Sequence, residues 1–356
     1  MKGTQVVLGH LWGQEAAALM VDGRIEDLAL DASALTPLPP GAVCRAVVDR
    51  LVKGQGGVFL RLPEGQRGFL REAKGLAEGQ SLIVQVTGVA EDGKAVPVTQ
   101  RVLFRGRSAI ATPGAPGVNV SRRIRDDAER ERLVALGEAA LAGAGSPDRM
   151  GFVIRTAAAL ADDDEIAAEL ADLAQLSVQV TADAQGGPEL LLDAEPPWRA
   201  AWIDWADPPP DAIDDGEGAF DAHGVTDAVE TLLSPDVALP GGGRAVIEPT
   251  RALVAVDVNT GADTSPAAAL KANIALARDL PRQLRLRGLG GQVVIDFAPI
   301  SKRDRGTLDQ ALRAAFRAEG TETTLIGWTA LGLYELSRKR DRVPLQALAA
   351  AAREGR

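Results

Sequence analysis

Leu253-Val254-Ala255-Val256-Asp257-Val258-Asn259 and Gln292-Val293-Val294-Ile295-Asp296-Phe297 decide the reading of this chain. Each is a run of β-branched and aliphatic residues that meets a carboxylate as the apolar stretch ends. Between them a long helical stretch, roughly Pro266–Arg287, closes with Gly288-Leu289-Gly290-Gly291. Strand, helix, turn and strand make a right-handed βαβ unit. Neighbouring strands lie about 4.8 Å apart. Asp257 and Asp296 are therefore expected to face each other at the carboxyl ends of adjacent parallel strands, where open α/β sheets place their sites. Two carboxylates that close repel unless a cation lies between them, and a hard, octahedral ion such as Mg²⁺ suits them. The structural alternative for Asp257 is a strand-end residue that caps the next helix.

The 356 residues leave room for two to four compact units. A single cysteine, Cys44, rules out an internal disulfide or a cysteine zinc cluster within one chain. The two histidines, His10 and His223, are far apart in sequence, which argues against a histidine metal site or triad. No stretch approaches the roughly 20 apolar residues of a membrane span. The beginning of the chain shows no signal-peptide apolar core, so a cytoplasmic location is expected. The net charge of −10 speaks against a nucleic-acid binder when taken alone. The charge is uneven, however. Acid gathers at Asp162–Glu165 and Asp204–Glu217, base at Arg122-Arg123, Arg278–Arg287, Lys302-Arg303 and Arg338-Lys339-Arg340. The basic clusters flank the acidic strand ends, as a phosphate-binding groove requires.

Residues 1–36 read as strands, closed off by Pro37, Pro39, Pro40 and Gly41. Five short apolar runs between Cys44 and Gln100 suit an OB-type barrel. On its consecutive strands Phe59 and Phe69 are either core residues or an exposed platform on which bases stack. A helix is expected over Asp126–Ala142, a strand over Gly151–Thr156, and an acidic helix over about 162–176. Residues 188–205 read as strand, with Trp198, Trp202 and Trp205 as packing residues. Pro281 predicts a bend in the long helix. Helix 304–319 and the segment Leu325–Arg340 complete the last unit.

Several segments together resemble the RNase E/RNase G endoribonucleases. They are Ala255–Gly261, Lys271-Ala272-Asn273-Ile274, Arg282–Arg287, Gly288–Phe297, Gly327–Leu333 and Ser337–Arg340. Upstream, Gly68-Phe69-Leu70, Ser121–Ile124 and Ile154-Arg155-Thr156-Ala157 follow in the family's order. The resemblance implies an α+β multidomain fold. An S1 (OB-type) barrel is inserted in a split RNase H-like subdomain, and a DNase I-like α/β catalytic subdomain follows. On this chain that gives 1–37 as the first RNase H-like segment and 38–106 as the S1 RNA-binding barrel. Residues 107–187 become an abridged 5′-sensor region, 188–236 the second RNase H-like segment with a linker, and 237–356 the catalytic subdomain.

The function implied is hydrolysis inside single-stranded RNA to 5′-phosphate and 3′-hydroxyl ends, in rRNA maturation or mRNA turnover. By the match, Asp257 and Asp296 hold Mg²⁺, for which Mn²⁺ can substitute on oxygen ligands. Asn259 contacts the scissile phosphate or a metal-bound water. Phe59 and Phe69 stack bases. Arg155 and Thr156 read a 5′-monophosphate, with Ile110 as the pocket's apolar wall, although Arg155-Thr156 also reads as a strand end with a surface ion pair. Arg282, Arg285 and Arg287 either hold backbone phosphates or form the solvated face of a helix. The family's zinc-binding Cys-x-x-Cys element does not occur in the sequence, so neither zinc nor a zinc-linked dimer is expected, and homo-oligomerisation stays open. The family's unbroken helix meets Pro281, an acid after the Asp-Phe pair is replaced by Pro299, and a tyrosine near the platform by Leu62. A relative that binds RNA with little or no cleavage, or a scaffold in an RNA-processing complex, are the rival readings.

Overall fold

The computed structural model of the chain describes residues 2–52, 56–71, 74–91, 93–145 and 148–355. They form two compact units. The first comprises residues up to Gly23 and Ala29–Ala219, the second Arg24–Leu28 and Phe220 onward. No helix among the described residues is long and apolar enough to cross a membrane.

The first unit opens with the antiparallel pair β1 (Thr4–Leu11) and β2 (Gln14–Val21). Their two-residue turn, Trp12-Gly13, has φ of 54° and 81°. Positive φ at both central residues matches the right-handed twist of the strands it joins. Strand β3 (Arg24–Leu30) leads out of this region. Next come β4 (Val43–Val52), β5 (Gly57–Arg61), β6 (Arg67–Leu70), β7 (Ser81–Val86) and β8 (Val96–Thr99). They pair in the order β4-β5-β6-β8-β7, and β7 returns to β4, so the five strands close into a barrel. Closure removes the free edges that a small open sheet would expose. Alternation fills the interior with Cys44, Ala46, Val58, Leu60, Leu70 and Val84.

Strands β9 (Phe104–Arg105), β10 (Ala109–Pro113) and β11 (Gly117–Val120) precede helix α1 (Asp127–Gly143). Asp126 caps that helix by accepting the Glu129 N–H, as its position predicts. Strand β12 (Met150–Ile154) and helix α2 (Asp163–Ala182) follow. The sheet order is β11-β12-β10-β9, and its apolar face shares a core with α1 and α2 around Phe104, Leu133, Phe152, Ile166 and Leu170. Strand β13 (Glu189–Leu192) pairs with β4. The expected strand character of 188–205 ends there. Residues Pro197–Asp204 are helix α3, with the three tryptophans on or just after it. Strand β14 (Ala212–Asp214) adds in parallel to β1.

After a single helical turn, α4 (Ala219–Ala222), the second unit contains α5 (Val225–Leu233), β15 (Asp236–Ala238), β16 (Arg244–Pro249) and β17 (Val254–Asn259). It continues with α6 (Pro266–Leu286), β18 (Gly291–Asp296), α7 (Arg305–Arg317), β19 (Thr323–Trp328), β20 (Tyr334–Arg338) and α8 (Leu345–Arg353). The six-stranded sheet runs β15-β16-β17-β18-β20-β19, with β17 and β18 parallel. One face packs on α6 and α7 through Ile247, Val256, Leu276, Leu280, Ile295 and Leu312. Helix α6 runs as one helix through Pro281, so the proline does not divide it.

Candidate active site

In the β17–β18 pairing Asp257 stands directly opposite Asp296. Facing residues of adjacent parallel strands are separated by about 4.8 Å between backbones. Val254, Val256 and Val258 on β17, and Val293 and Ile295 on β18, are buried toward the helices. The alternating residues Asp257, Asn259 and Asp296 therefore project from the other face, where they are exposed. A slip of one residue would bury both carboxylates and expose the valines, so the apolar pattern fixes where the acids point. The Asn259 amide donates to Asp257 Oδ2 at 2.5 Å, which orients one carboxylate oxygen and leaves the others free for a ligand.

The donor set is two carboxylates, with no cluster of three or more His, Cys, Asp or Glu among the described residues. Oxygen donors of this kind suit Mg²⁺, which keeps several waters and is bound through one or two carboxylates plus substrate phosphate oxygens. The residues present thus fit a hard divalent ion.

Three features hold these strand ends. Asn273, fully buried in α6, donates to the Ala298 carbonyl at 2.8 Å and accepts the Ala298 N–H at 3.0 Å, anchoring the chain that leaves Asp296. Ser265 caps α6 by accepting the Ala268 N–H. Gly242, Gly243 and Gly261 let two turns lie against each other. A Cβ at Gly261 would come within 2.5 Å of the Gly242 carbonyl, and one at Gly243 within 2.8 Å of the Asn259 carbonyl. Asn273 and these glycines were not among the expected site residues. A lone amide at a core position of an amphipathic helix was the available signal for Asn273.

The arginines expected to grip phosphates have partners within the second unit. Arg282 donates to Asp279 and to the Ile25 carbonyl. Arg285 binds Glu26 and Glu319. Arg287 is buried and donates to the carbonyls of Leu232 and Ser234 at the end of α5, and burial pushes its guanidinium down to about 10. These donors are consumed by the unit's own carbonyls and carboxylates. They are not a solvated face either, since all three side chains are largely covered.

On the barrel, Phe59 and Phe69 are paired across β5 and β6, with ring centroids 5.3 Å apart. Both are half-buried and project outward, while Val58, Leu60 and Leu70 fill the core. The Arg50 guanidinium lies 4.7 Å from the Phe59 ring centroid and Arg67 5.7 Å from it.

Arg155 follows β12, and Ile110 pairs with Val153 on that strand. Thr156 Oγ1 is 3.0 Å from Ser121 Oγ. Arg155 donates to the carbonyls of Gly106 and Ile203 at 2.7 and 2.8 Å. Its other terminal nitrogen lies 3.8 Å from Asp204, a carboxylate also held by Arg105. Burial lowers the Arg155 pKa, opposed by the charge of Asp204. Close by, Arg107 stacks over Trp202 at 3.8 Å, and Trp202 is 48% exposed, so this tryptophan is not the packing residue expected.

A family model described as "Ribonuclease E/G family" matches residues 104–213 and 211–341. Ribonuclease E of Nostoc sp. is 29% identical over 355 residues, covering 84% of this chain and 51% of that protein. Ribonuclease G of Escherichia coli (strain K12) is 29% identical over 309 residues, covering 76% of this chain and 61% of its own length. Ribonuclease G of Salmonella typhimurium is 29% identical over 305 residues, 74% of this chain and 60% of that protein. The chain thus spans between half and three-fifths of these relatives.

Proposed function

The chain belongs to the Ribonuclease E/G family, and on that premise we propose that it is a divalent-metal-dependent endoribonuclease. Its substrate is single-stranded RNA, cut internally to leave a 5′-phosphate and a 3′-hydroxyl. The observation that carries the reading is the register match of Asp257 with Asp296 on an exposed sheet face.

Asp257 and Asp296 would hold Mg²⁺, or Mn²⁺ on the same oxygens. When bound, the ion neutralises phosphate charge and lowers the pKa of a water so that it becomes nucleophilic at neutral pH. Asn259 contributes a neutral amide that fixes Asp257 without competing for the cation. The paired strands hold these groups in place before substrate arrives, which favours the transition state over rearrangement. On the barrel, Phe59 and Phe69 offer ring faces to unstacked bases, with Arg50 and Arg67 supplying positive charge beside them. Arg155, Thr156 and Ile110 would receive a 5′-monophosphate. That phosphate would have to displace Asp204, which already faces Arg155 and Arg105.

The test is cleavage of a fluorescent single-stranded RNA by wild type and Asp296→Asn, with Mg²⁺ and with chelator, followed by mapping of the product ends. Cleavage that requires Mg²⁺ and falls by at least about 100-fold in the variant is expected. Unchanged cutting by Asp296→Asn would remove the proposed site. Tight RNA binding without cutting by the wild type would make the protein a binding relative.

A further inference from the structure

We propose that Arg244 is a phosphate-binding residue of the same site, gripping the RNA backbone beside the two aspartates. This rests on the endoribonuclease reading of Asp257 and Asp296, which it deepens.

The argument comes from register. Strand β16 pairs antiparallel with β17, placing Arg244 opposite Asn259 and Val246 opposite Asp257. Directly paired residues share a face of the sheet, so Arg244 projects on the side that carries Asn259, Asp257 and Asp296. Its neighbour Ala245 and the next residue on the other face, Ile247, are buried toward the helices. Diagonal neighbours across a strand pair lie about 7–8 Å apart, within reach of a long side chain. Arg244 is diagonal to Asp257 on one side and to Asp236 on the other.

In the structure the guanidinium leans to the second of these, with Nη1 3.6 Å from Asp236 Oδ1. Both side chains are open to solvent, 63% and 54% exposed. Such a pair is held weakly, and a phosphate can replace the carboxylate. This sets Arg244 apart from Arg282, Arg285 and Arg287, whose guanidinium groups are taken up by buried or half-buried partners. The position is also built rather than incidental. The close approach of Gly243 to the Asn259 carbonyl fixes the start of β16 against the end of β17. The guanidinium's planar fork then matches two oxygens of one phosphodiester. Asp236 is the resting partner on the β15 side, and the guanidinium has to leave it to reach a phosphate beside Asp257 and Asp296.

Wild type, Arg244→Gln, Arg244→Lys and Asp236→Asn are compared in two measurements. The first is anisotropy of fluorescent single-stranded RNA in Ca²⁺, across a salt series. The second is cleavage of the same RNA in Mg²⁺. Arg244→Gln should weaken binding about tenfold and lower the slope of log affinity against log salt by about 0.7, the loss of one phosphate contact on a single strand. KM should rise more than kcat falls. Arg244→Lys should recover part of the affinity and the whole salt slope, since it keeps the charge but not the fork. Asp236→Asn should tighten binding. Affinity, slope and KM all unchanged in Arg244→Gln would overturn the proposal, as would full recovery of affinity by lysine for the claim of a bidentate contact. Should the wild type bind but never cut, the nuclease reading fails on its own, while the Arg244 contact is still decided by the anisotropy.

Discussion

Asn273 and Ala298 exchange two hydrogen bonds, 2.8 and 3.0 Å long, so that a side-chain amide of α6 stands in for a strand partner to the chain emerging from β18. The amide is fully buried, and both Ala298 groups lack water as an alternative. Replacing it with alanine leaves a buried N–H and a buried C=O unpaired. The expected cost is about 2–4 kcal/mol at about 1–2 kcal/mol for each group. Urea unfolding of Asn273→Ala checks this, and a loss in kcat at temperatures where the variant is folded would show that the chain behind Asp296 is displaced.

On the proposed endoribonuclease reading, the Phe59–Phe69 pair serves RNA binding and not the cleavage step. Phe59→Ala or Phe69→Ala should weaken RNA binding by about 1–3 kcal/mol, the range for loss of one base stack. Cleavage at saturating RNA should stay near the wild-type rate. Anisotropy titration and single-turnover kinetics distinguish this from a loss in kcat alone, which would refute a stacking platform.

Asp204 already shares Arg105 and Arg155. A 5′-monophosphate therefore gains little on entering, and RNAs ending in phosphate and in hydroxyl should be cut at rates within about threefold, since exchanging one anion for another offsets most of the gain. Asp204→Asn should widen that ratio. A large preference in the wild type that Arg155→Gln abolishes would show that Asp204 yields easily.

Glu319 accepts from Arg338 at 3.0 Å and also binds Arg285, with the Glu319 and Arg338 side chains 2% and 1% exposed. Burial lowers the Arg338 pKa, opposed by the charge of Glu319. Arg285 keeps Glu26 and Asp27, but Glu319→Ala leaves the buried Arg338 cation without its carboxylate and should cost about 3–5 kcal/mol, whereas Glu319→Ala combined with Arg338→Met should cost less than the single change. A double mutant no more stable than Glu319→Ala would contradict this.

Acid should weaken the second unit through Asp279. Burial pushes its carboxyl up, but hydrogen bonds from Arg282 and Gln283 and the charges of Arg282 and Arg24 outweigh it, leaving the pKa below the usual carboxylate value. The folded state therefore favours the anion. That stabilisation is present in full above the unfolded pKa, about 3.9, and is lost as pH falls through the lower folded value. Asp279→Asn should be less stable at pH 7 and lose less on acidification, as thermal melts from pH 7 to pH 3 would show.

The acidic strand ends were legible because their information is local. Alternation of valines with Asp257 and Asn259 sets the exposed face, and the glycine-closed helix between the runs sets parallel pairing. The fate of the arginines was not legible. Glu26 and Asp27, which meet Arg285, lie more than two hundred positions away in sequence, and nothing near the helix announces them. Helix α3 departs from the expected strand for a different reason. Tryptophan favours strands, yet Trp198, Trp202 and Trp205 sit at i, i+4 and i+7, and Pro197 at the first helical position is a start signal. Periodicity outranked propensity there. The place of Arg244 follows from the β16–β17 register, which the antiparallel pairing in the structure supplies.

Arg24–Leu28 belong to the unit that otherwise starts at Phe220, tied to it by Arg282, Arg285 and Arg342. During synthesis this strand leaves the ribosome early and waits, its acceptors Glu26 and Asp27 unmatched, until the arginines that complete them have emerged. Joining segments so remote is entropically slow. The barrel, whose contacts are near neighbours along the chain, is then the portion able to mature co-translationally, and assembly of the second unit becomes the later event.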